Sequence, residues 1–460
     1  MLYYKREIPA RGDMDLRFTS FSEMLAHYAD TTPEAPALCY EFDGALRTES
    51  YQKLSEAVSV RAMELRREGK TCLGLLADGS RACVVELFAA VEAGMQVVLL
   101  DESAPLPTLR GMLAYTDVDA LWGGTGLCAE LSPNLTGGVK DGAGRVLFFT
   151  SGTTERSKAV TLTEKSLCAS AYNGGALLPL RPDDRLLCML PLGHVFGFVC
   201  GLLWGLSCGA CVALGRGVRH YIDDCAFFRP TAVSLVPSLL GFLLKNKLFN
   251  RELELVLIGA GDCPAQYLEA ARAMDLRVSF GYGLTETSSG VALSLGDDPF
   301  AMTICPDDTV RIAADGEILI RAESCIMKGY YKCPEETNAA LAGGELHTGD
   351  LGFLDHKGRL HVTGRKKDVL VLPDGTKIFL PECEAELSTL LGEGDYALML
   401  KEGRVALAIY GDERSDEELL EAVASYQRLR PRGQQISLIA RQSAPLPRTA
   451  TGKLRRWALR

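Results

Sequence analysis

The sequence predicts an α/β protein in two parts. A large N-terminal domain over 1–364 is built of parallel or mixed sheets flanked by helices, and a small α+β domain follows over 365–460. Three observations predict this. The chain has 460 residues, too many for one ordinary core. Its middle alternates short apolar runs with helical stretches, the pattern of consecutive βαβ units. From about residue 365 the texture changes to short hairpins and capped helices.

The elements follow in order. Arg145 to Phe149 is an apolar strand, and AVTLT over 159–163 reads as a strand rather than a helix. The uncharged stretch from Phe196 to Leu214, rich in glycine and ending in GACVAL, reads as a buried helix followed by a core strand. TAVSLV (231–236), the helical PSLLGFLLKNKLF (237–249), ELVLIG (254–259), the Pro-started helix 264–274 and RVSF (277–280) are consecutive βαβ units. Right-handed crossovers make their strands parallel and align the C-terminal ends on one edge, where open α/β sheets bind ligands. The loops Pro237-Ser238, Gly259-Ala260-Gly261 and Gly281-Tyr282-Gly283 are therefore expected to form one cleft. In the small domain DVLVL and KIF flank a Pro-Asp-Gly-Thr turn, and Pro381 opens a helix to Leu391. A hairpin turns about Glu402-Gly403, Ser415 and Glu418 form a capping box, and strand ISLIA leads to PLPRTATGKLRR.

Bulk properties exclude several classes. With 49 basic and 59 acidic residues the net charge is −10, which argues against a dedicated nucleic-acid surface. Fifteen cysteines scattered through apolar runs read as reduced thiols. The start, MLYYKREIPARGDM, carries charge where a signal peptide needs an apolar run, so a cytoplasmic enzyme is expected. Cys208 and Cys211 lack a second pair at zinc spacing, and the glycine-rich 196–214 stretch is no membrane span, so no integral membrane association is expected.

Residues 149–158, FTSGTTERSK, carry the chemistry. Thr150, Ser151, Gly152, Thr153 and Thr154 bury little apolar area, but their hydroxyls and N–H groups suit phosphate oxygens, with Lys158 supplying charge. The run is not a Walker loop, lacking G-x-x-x-x-G-K-[ST], and no helix dipole follows it.

Four later motifs join it in order: GYGLTE (281–286), TGD (348–350), GRKKD (364–368) and PRTATGK (447–453). The set resembles the adenylate-forming (AMP-binding) superfamily, in motif style most like acyl-CoA synthetases of the fatty or long-chain type. The resemblance runs from about residue 145 to the end and more faintly over the first 140 residues. It implies an AMP-forming acid–thiol ligase: a fatty or aryl acid joins the α-phosphate of ATP, pyrophosphate leaves, and the acyl group passes to coenzyme A. A stand-alone enzyme loading a carrier-protein phosphopantetheine, and a degenerate nucleotide-binding scaffold, are the alternatives. ATP and Mg²⁺ are implied as cofactors. One anion attacks another, so the site must neutralise charge and hold geometry.

By the same resemblance Tyr282 stacks on adenine, beside Gly281 and Gly283, and Gly259, Ala260 and Gly261 pass the base or acyl chain. Thr285 bonds the α-phosphate, Glu286 holds Mg²⁺, Asp350 takes both ribose hydroxyls and Arg365 reaches ribose or phosphate. Lys453 is carried into the cleft to meet carboxylate and α-phosphate. The small domain is then mobile, rotating about a hinge near Lys367 between the half-reactions. PLGHVFG (191–197) matches the acyl-pocket segment, with His194 where a histidine or aromatic gates the thiol. No acidic residue near it meets an ammonium, so an amino-acid substrate is disfavoured. Val195, Phe196, Gly197 and Val236 suit an alkyl or aryl chain. The chain departs from the family pattern at Glu155, Ser157 and Ala159, where glycine, proline and glycine are usual, and it has one extra residue, Leu380, before Pro381.

Overall fold

The computed structural model describes residues 17–139, 144–150, 158–322, 324–371, 377–392, 394–402, 404–428, 430, 434–448, 454 and 459. Among them, 13 strands form one mixed sheet and 6 form a second. At the heart of the larger sheet Arg185–Cys188, Ala232–Leu235, Leu255–Ile258 and the first half of Arg277–Leu284 lie parallel, with Ala232 opposite Leu255 and Leu255 opposite Arg277. The helices Pro237–Asn246 and Ala265–Arg272 supply the crossovers, as the alternation predicts. Each ends a few residues early: Lys247 turns left-handed (φ 54°) after the first, and Ala273 caps the second.

The second sheet runs Gly329–Tyr330, Ala159–Thr163, Arg145–Phe149, Gln96–Leu100, Cys72–Leu76, Ala120–Trp122. Its inner residues, Leu73, Val97, Phe148 and Val160, share one buried core with Phe198, Val199 and Leu202. The uncharged stretch 195–207 is thus a helix within the core, leading to the strand Cys211–Leu214. Having no charge to solvate, it can be covered on every side. Among the described residues no helix is long and apolar enough to cross a membrane. All fifteen cysteines are free, Cys208 and Cys211 included.

One sequence expectation is corrected. Gly281-Tyr282-Gly283 is not a loop, because the strand continues to Leu284 and its second half pairs antiparallel with Ser289–Ser294. The reason is the room glycine gives. A Cβ at Gly283 would lie 1.6 Å from the Ser289 carbonyl oxygen, so only a hydrogen there lets the chain reverse so tightly. Likewise Thr348-Gly349-Asp350 sits inside the long strand Leu346–Leu354, with Gly349 at φ 71°.

The smaller C-terminal domain has its own core. Val369–Val371 pairs antiparallel with Lys377–Phe379, Asp395–Lys401 with Arg404–Tyr410, and Leu438–Arg441 adds parallel to the last. Helix Leu380–Leu391 and the helix started by the Ser415–Glu418 capping box pack Leu387 and Leu419 against Leu398 and Leu407. The extra Leu380 is 2 % exposed and belongs to this core.

Candidate active site

The neck of the hydroxyl-rich segment is a β-hairpin. Arg145–Phe149 and Ala159–Thr163 pair antiparallel, and the Thr150 N–H donates to the Lys158 carbonyl at 2.9 Å. The Lys158 N–H answers to Thr150 Oγ1 at 3.3 Å. Ser151, Gly152, Thr153 and Thr154, with Glu155 and Ser157, lie outside the described residues. A strand on each side of this segment is what the sequence predicts.

The Lys158 ammonium lies 4.4 Å from the centre of the Tyr330 ring. The Tyr330 hydroxyl in turn donates to Glu286 Oε1 at 2.8 Å. Burial and the adjacent Glu286 carboxylate push this phenol far up, so it remains a donor. Backbone pairing fixes the arrangement: Tyr330 sits opposite Val160, two residues beyond Lys158, and the Met327 N–H donates to the Glu286 carbonyl at 2.8 Å. Sequence reading singled out Lys158 and Glu286 but missed Tyr330. The available signal was the Gly329-Tyr330-Tyr331 run just before the Pro-started helix Pro334–Ala340.

The last residues of the strand Arg277–Leu284, just before the turn with Glu286, carry a second cluster. The Tyr282 hydroxyl donates to Asp350 Oδ2 at 2.8 Å, and Arg365 Nε lies 3.0 Å from Asp350 Oδ1. Asp350 and Arg365 face each other directly across the strands Leu346–Leu354 and Leu360–Arg365. Tyr282 reaches Asp350 although three strands lie between theirs in the sheet order. Burial pushes the Asp350 carboxyl up, against the pull of Arg365 and Tyr282, and the charges of Asp262 and Glu286 add to the rise. Each Asp350 oxygen has one partner and keeps a lone pair for another donor, as a ribose contact requires.

Thr285 and Glu286 lie in the tight turn Thr285–Thr287 that follows this strand, before Ser288 at φ 55°. Gly259 and Gly261 end the neighbouring parallel strand, with Ala260 left-handed at φ 63° and exposed. A Cβ on Gly259 would come 2.7 Å from Phe196 Cε2, and one on Gly197 would come 2.3 Å from the Pro191 carbonyl oxygen. The predicted acyl segment 191–197 therefore packs against the predicted base-binding loop. His194 is half exposed and its Nε2 stands 3.9 Å from Asp101 Oδ2, just past the C-terminal end of Gln96–Leu100. Strand ends of both sheets thus meet around it. Lys453 lies outside the described residues, and so does the side chain of Lys367.

Chemically, the C-terminal half of the strand Arg277–Leu284 and the turn that follows it carry both clusters. Asp350 and Arg365 offer a hydrogen-bonding platform of both signs, while Lys158 and Glu286 offer an ammonium and a carboxylate joined through Tyr330. Glu286 Oε2 bonds none of the described residues. No group of three or more His, Cys, Asp or Glu among them can hold a metal ion. A Mg²⁺ here would rest on Glu286, water and a ligand's own phosphates, the usual manner for this ion.

The AMP-binding enzyme family model matches residues 138–331. The 2-succinylbenzoate–CoA ligase of Bacillus pumilus is 28 % identical over 401 residues, covering 79 % of this chain and 82 % of its own. The long-chain-fatty-acid–CoA ligase FadD15 of Mycobacterium bovis is 29 % identical over 359 residues, covering 65 % of this chain and 58 % of its own. Among solved structures, O-succinylbenzoate coenzyme A synthetase (MenE) from Bacillus subtilis in complex with AMP superposes with a TM-score of 0.80 at 23 % identity, over 95 % of this chain and 98 % of that one. That likeness shows the fold: a large mixed-sheet α/β domain and a smaller C-terminal one.

Proposed function

We propose, from the premise that this chain belongs to the AMP-binding enzyme family, that it is an AMP-forming acid–thiol ligase. It activates a carboxylic acid with ATP and passes the acyl group to coenzyme A. In the first step a carboxylate oxygen bonds the α-phosphorus and the bond to the bridging β-oxygen breaks, releasing pyrophosphate. In the second a thiolate adds at the acyl carbon and AMP leaves.

The observation that carries this reading is the convergence of motifs far apart in sequence on one strand and its turn. Tyr282, Asp350 and Arg365 meet at the strand's last residues, and Lys158, Tyr330 and Glu286 meet at the turn that follows them. The first cluster has the donors and acceptors for a nucleoside: Asp350 for ribose hydroxyls, Arg365 beside it, and Tyr282 flanking the base. The second has the charges for a triphosphate. Lys158 neutralises β- and γ-oxygens, Thr285 meets the α-phosphate, and Glu286 is the protein's ligand for Mg²⁺, which when bound withdraws charge from the phosphates. Gly259, Ala260 and Gly261 flank the acyl group, with Phe196, packed on Gly259, part of the same wall. His194 stands where the thiol enters. We place the domain division at 364/365, with a hinge near Lys367 and Lys453 entering the cleft for adenylation.

Curated relatives are named as CoA ligases, which supports coenzyme A as acceptor over a carrier-protein phosphopantetheine. Acid-dependent release of pyrophosphate from ATP, across a panel of alkyl and aryl acids, tests the reading. Turnover with at least one acid is expected, followed by thioester formation with coenzyme A. ATP binding without turnover of any acid overturns it in favour of a nucleotide-binding scaffold.

A further inference from the structure

Beside the helix that follows Phe196 lies a cavity of ≈ 30 Å³, lined in part by Ser170, Leu178, Val199, Cys200, Trp204 and Leu257. Two local features build it. The helix after Phe196 opens into a π turn over Val199–Leu203, a wide turn that proteins use mostly at functional sites. The widening is held from outside, since Ser234 Oγ donates to the Cys200 carbonyl at 2.8 Å and Cys200 Sγ lies 3.4 Å from Ser289 Oγ. Facing this turn is Ser170, on the helix Glu164–Leu177.

Ser170 is only 3 % exposed, yet its hydroxyl has no hydrogen-bond partner among the described residues. A buried helical serine normally bonds back to a carbonyl one turn earlier, and a lone buried hydroxyl costs free energy. Alanine would pack here without that cost and is the better helix former. The remaining wall is apolar, with the thiols of Cys200 and Cys305 and no charged side chain. The space admits a terminal group rather than a whole chain, being roughly twice what one water molecule needs. Its distance from the proposed acyl site is short. Leu257 and Gly259 project from the same face of one strand, two residues apart. Phe196 packs on Gly259 and also on the cluster of Leu178, Trp204, Leu257 and Leu293 that walls the cavity.

We infer that the acyl pocket of this chain runs past Phe196 into this cavity, and that its substrate is an acid whose apolar body ends in one neutral hydrogen-bonding oxygen, held by Ser170. The inference rests on the ligase reading. A keto oxygen accepts from the Ser170 hydroxyl, and an alcohol can donate to it or accept from it. A second carboxylate is excluded, because no cation lines the cavity to pay for burying it.

The test uses the full chain and initial rates of pyrophosphate release. The substrates are hexanoate, octanoate and decanoate, their counterparts with an oxo or hydroxy group on the penultimate carbon, and the matching dicarboxylates. For the length that fits, the oxygenated acid is expected to exceed the plain one in kcat/KM by about tenfold, the worth of satisfying one buried polar group. The dicarboxylate should fall below both. Ser170→Ala should bring the oxygenated-to-plain ratio to about one, leave the plain acid within about twofold and not lower Tm. Whichever oxygenated series loses its advantage identifies keto or alcohol. Plain acids turned over with no oxygen preference, or a preference that Ser170→Ala leaves intact, overturns the inference while the ligase reading stands. The first of these results would mean that the cavity holds water or a bare methyl end. No pyrophosphate from any of these acids overturns the inference, and none from the aryl acids either overturns the ligase reading as well.

Discussion

The Tyr330 hydroxyl donates a 2.8 Å hydrogen bond to Glu286 Oε1, while the face of the same ring carries the Lys158 ammonium. One side chain thereby positions both the proposed triphosphate cation and the proposed metal ligand before nucleotide arrives. Two substitutions separate these duties. Tyr330→Phe keeps the ring under Lys158 but frees Glu286, so the Mg²⁺ concentration for half-maximal rate should rise while the ATP KM stays within about twofold. Tyr330→Leu removes both supports, and calorimetric titration of ATP without Mg²⁺ should then show affinity lower by about fivefold or more. If the two variants behave alike in both measurements, Tyr330 is not the link.

Gly283 meets a harder constraint. Its missing Cβ would overlap the Ser289 carbonyl, a backbone atom held by the strand pairing, whereas a Cβ on Gly290 meets nothing within 4 Å. Gly283→Ala should therefore destabilise the chain by more than about 3 kcal/mol, and Gly290→Ala by less than about 1 kcal/mol. Thermal melts of the two variants against the parent compare them directly.

These residues mark where the sequence was legible and where it was not. The βαβ succession over 231–280 was readable because periodicity and turn residues are local, and helix and strand ends fell within a few residues of expectation. The capping box at Ser415 and Glu418 was readable for the same reason. The reversal at Gly283 was not, since a glycine in a strand and a glycine in a loop look alike until the partner strand is known. The Asp350–Arg365 pair depends on cross-strand register, which the separation of TGD from GRKKD does not disclose. Tyr330 and Ser170 are plain residues in sequence, an aromatic before a proline and a serine in a helix. Only tertiary placement against Lys158 and Glu286, or against the π turn, gives them meaning.

Asp308 makes stability fall with rising pH. It is 8 % exposed, its Oδ1 has no partner among the described residues, and Asn173 Nδ2 reaches Oδ2 only at 3.4 Å. Burial, with the adjacent Asp307 charge, pushes its carboxyl up to about 8 from 3.8. Burial likewise raises Glu164 to about 7. A raised carboxyl holds its proton in the folded chain while the unfolded chain has released it. Stability is then fully present below the ordinary carboxylate range and is lost as pH climbs toward the folded value. Across that window Asp308 contributes a loss of up to about 1.4 kcal/mol per pH unit, and above about 8 the slope ends. Asp308→Asn should flatten the dependence, leaving the smaller share from Glu164. Denaturant midpoints across the range measure it, and an unchanged slope in the variant rules the explanation out.

The last prediction concerns the division between the two domains. Arg365 is paired to Asp350, and Lys366 Nζ contacts Asp315 at 2.7 Å and Glu317 at 2.9 Å, so the chain is anchored to the large domain up to residue 366. The hinge proposed near Lys367 would begin where that anchoring ends. Rotation there would carry the small domain as a body, because its described strands and helices share their own core. Lys453 should then serve only the step in which two anions meet, where an ammonium offsets charge developing at the α-phosphate. Lys453→Ala is expected to lower acyl-adenylate formation by about a thousandfold. Thioester formation from a supplied acyl-adenylate should stay within about threefold, since that step meets a thiolate after the domain has turned. Single-turnover measurement of each half-reaction separates them, and an equal loss in both would mean that Lys453 remains in the cleft throughout and that the domain does not alternate.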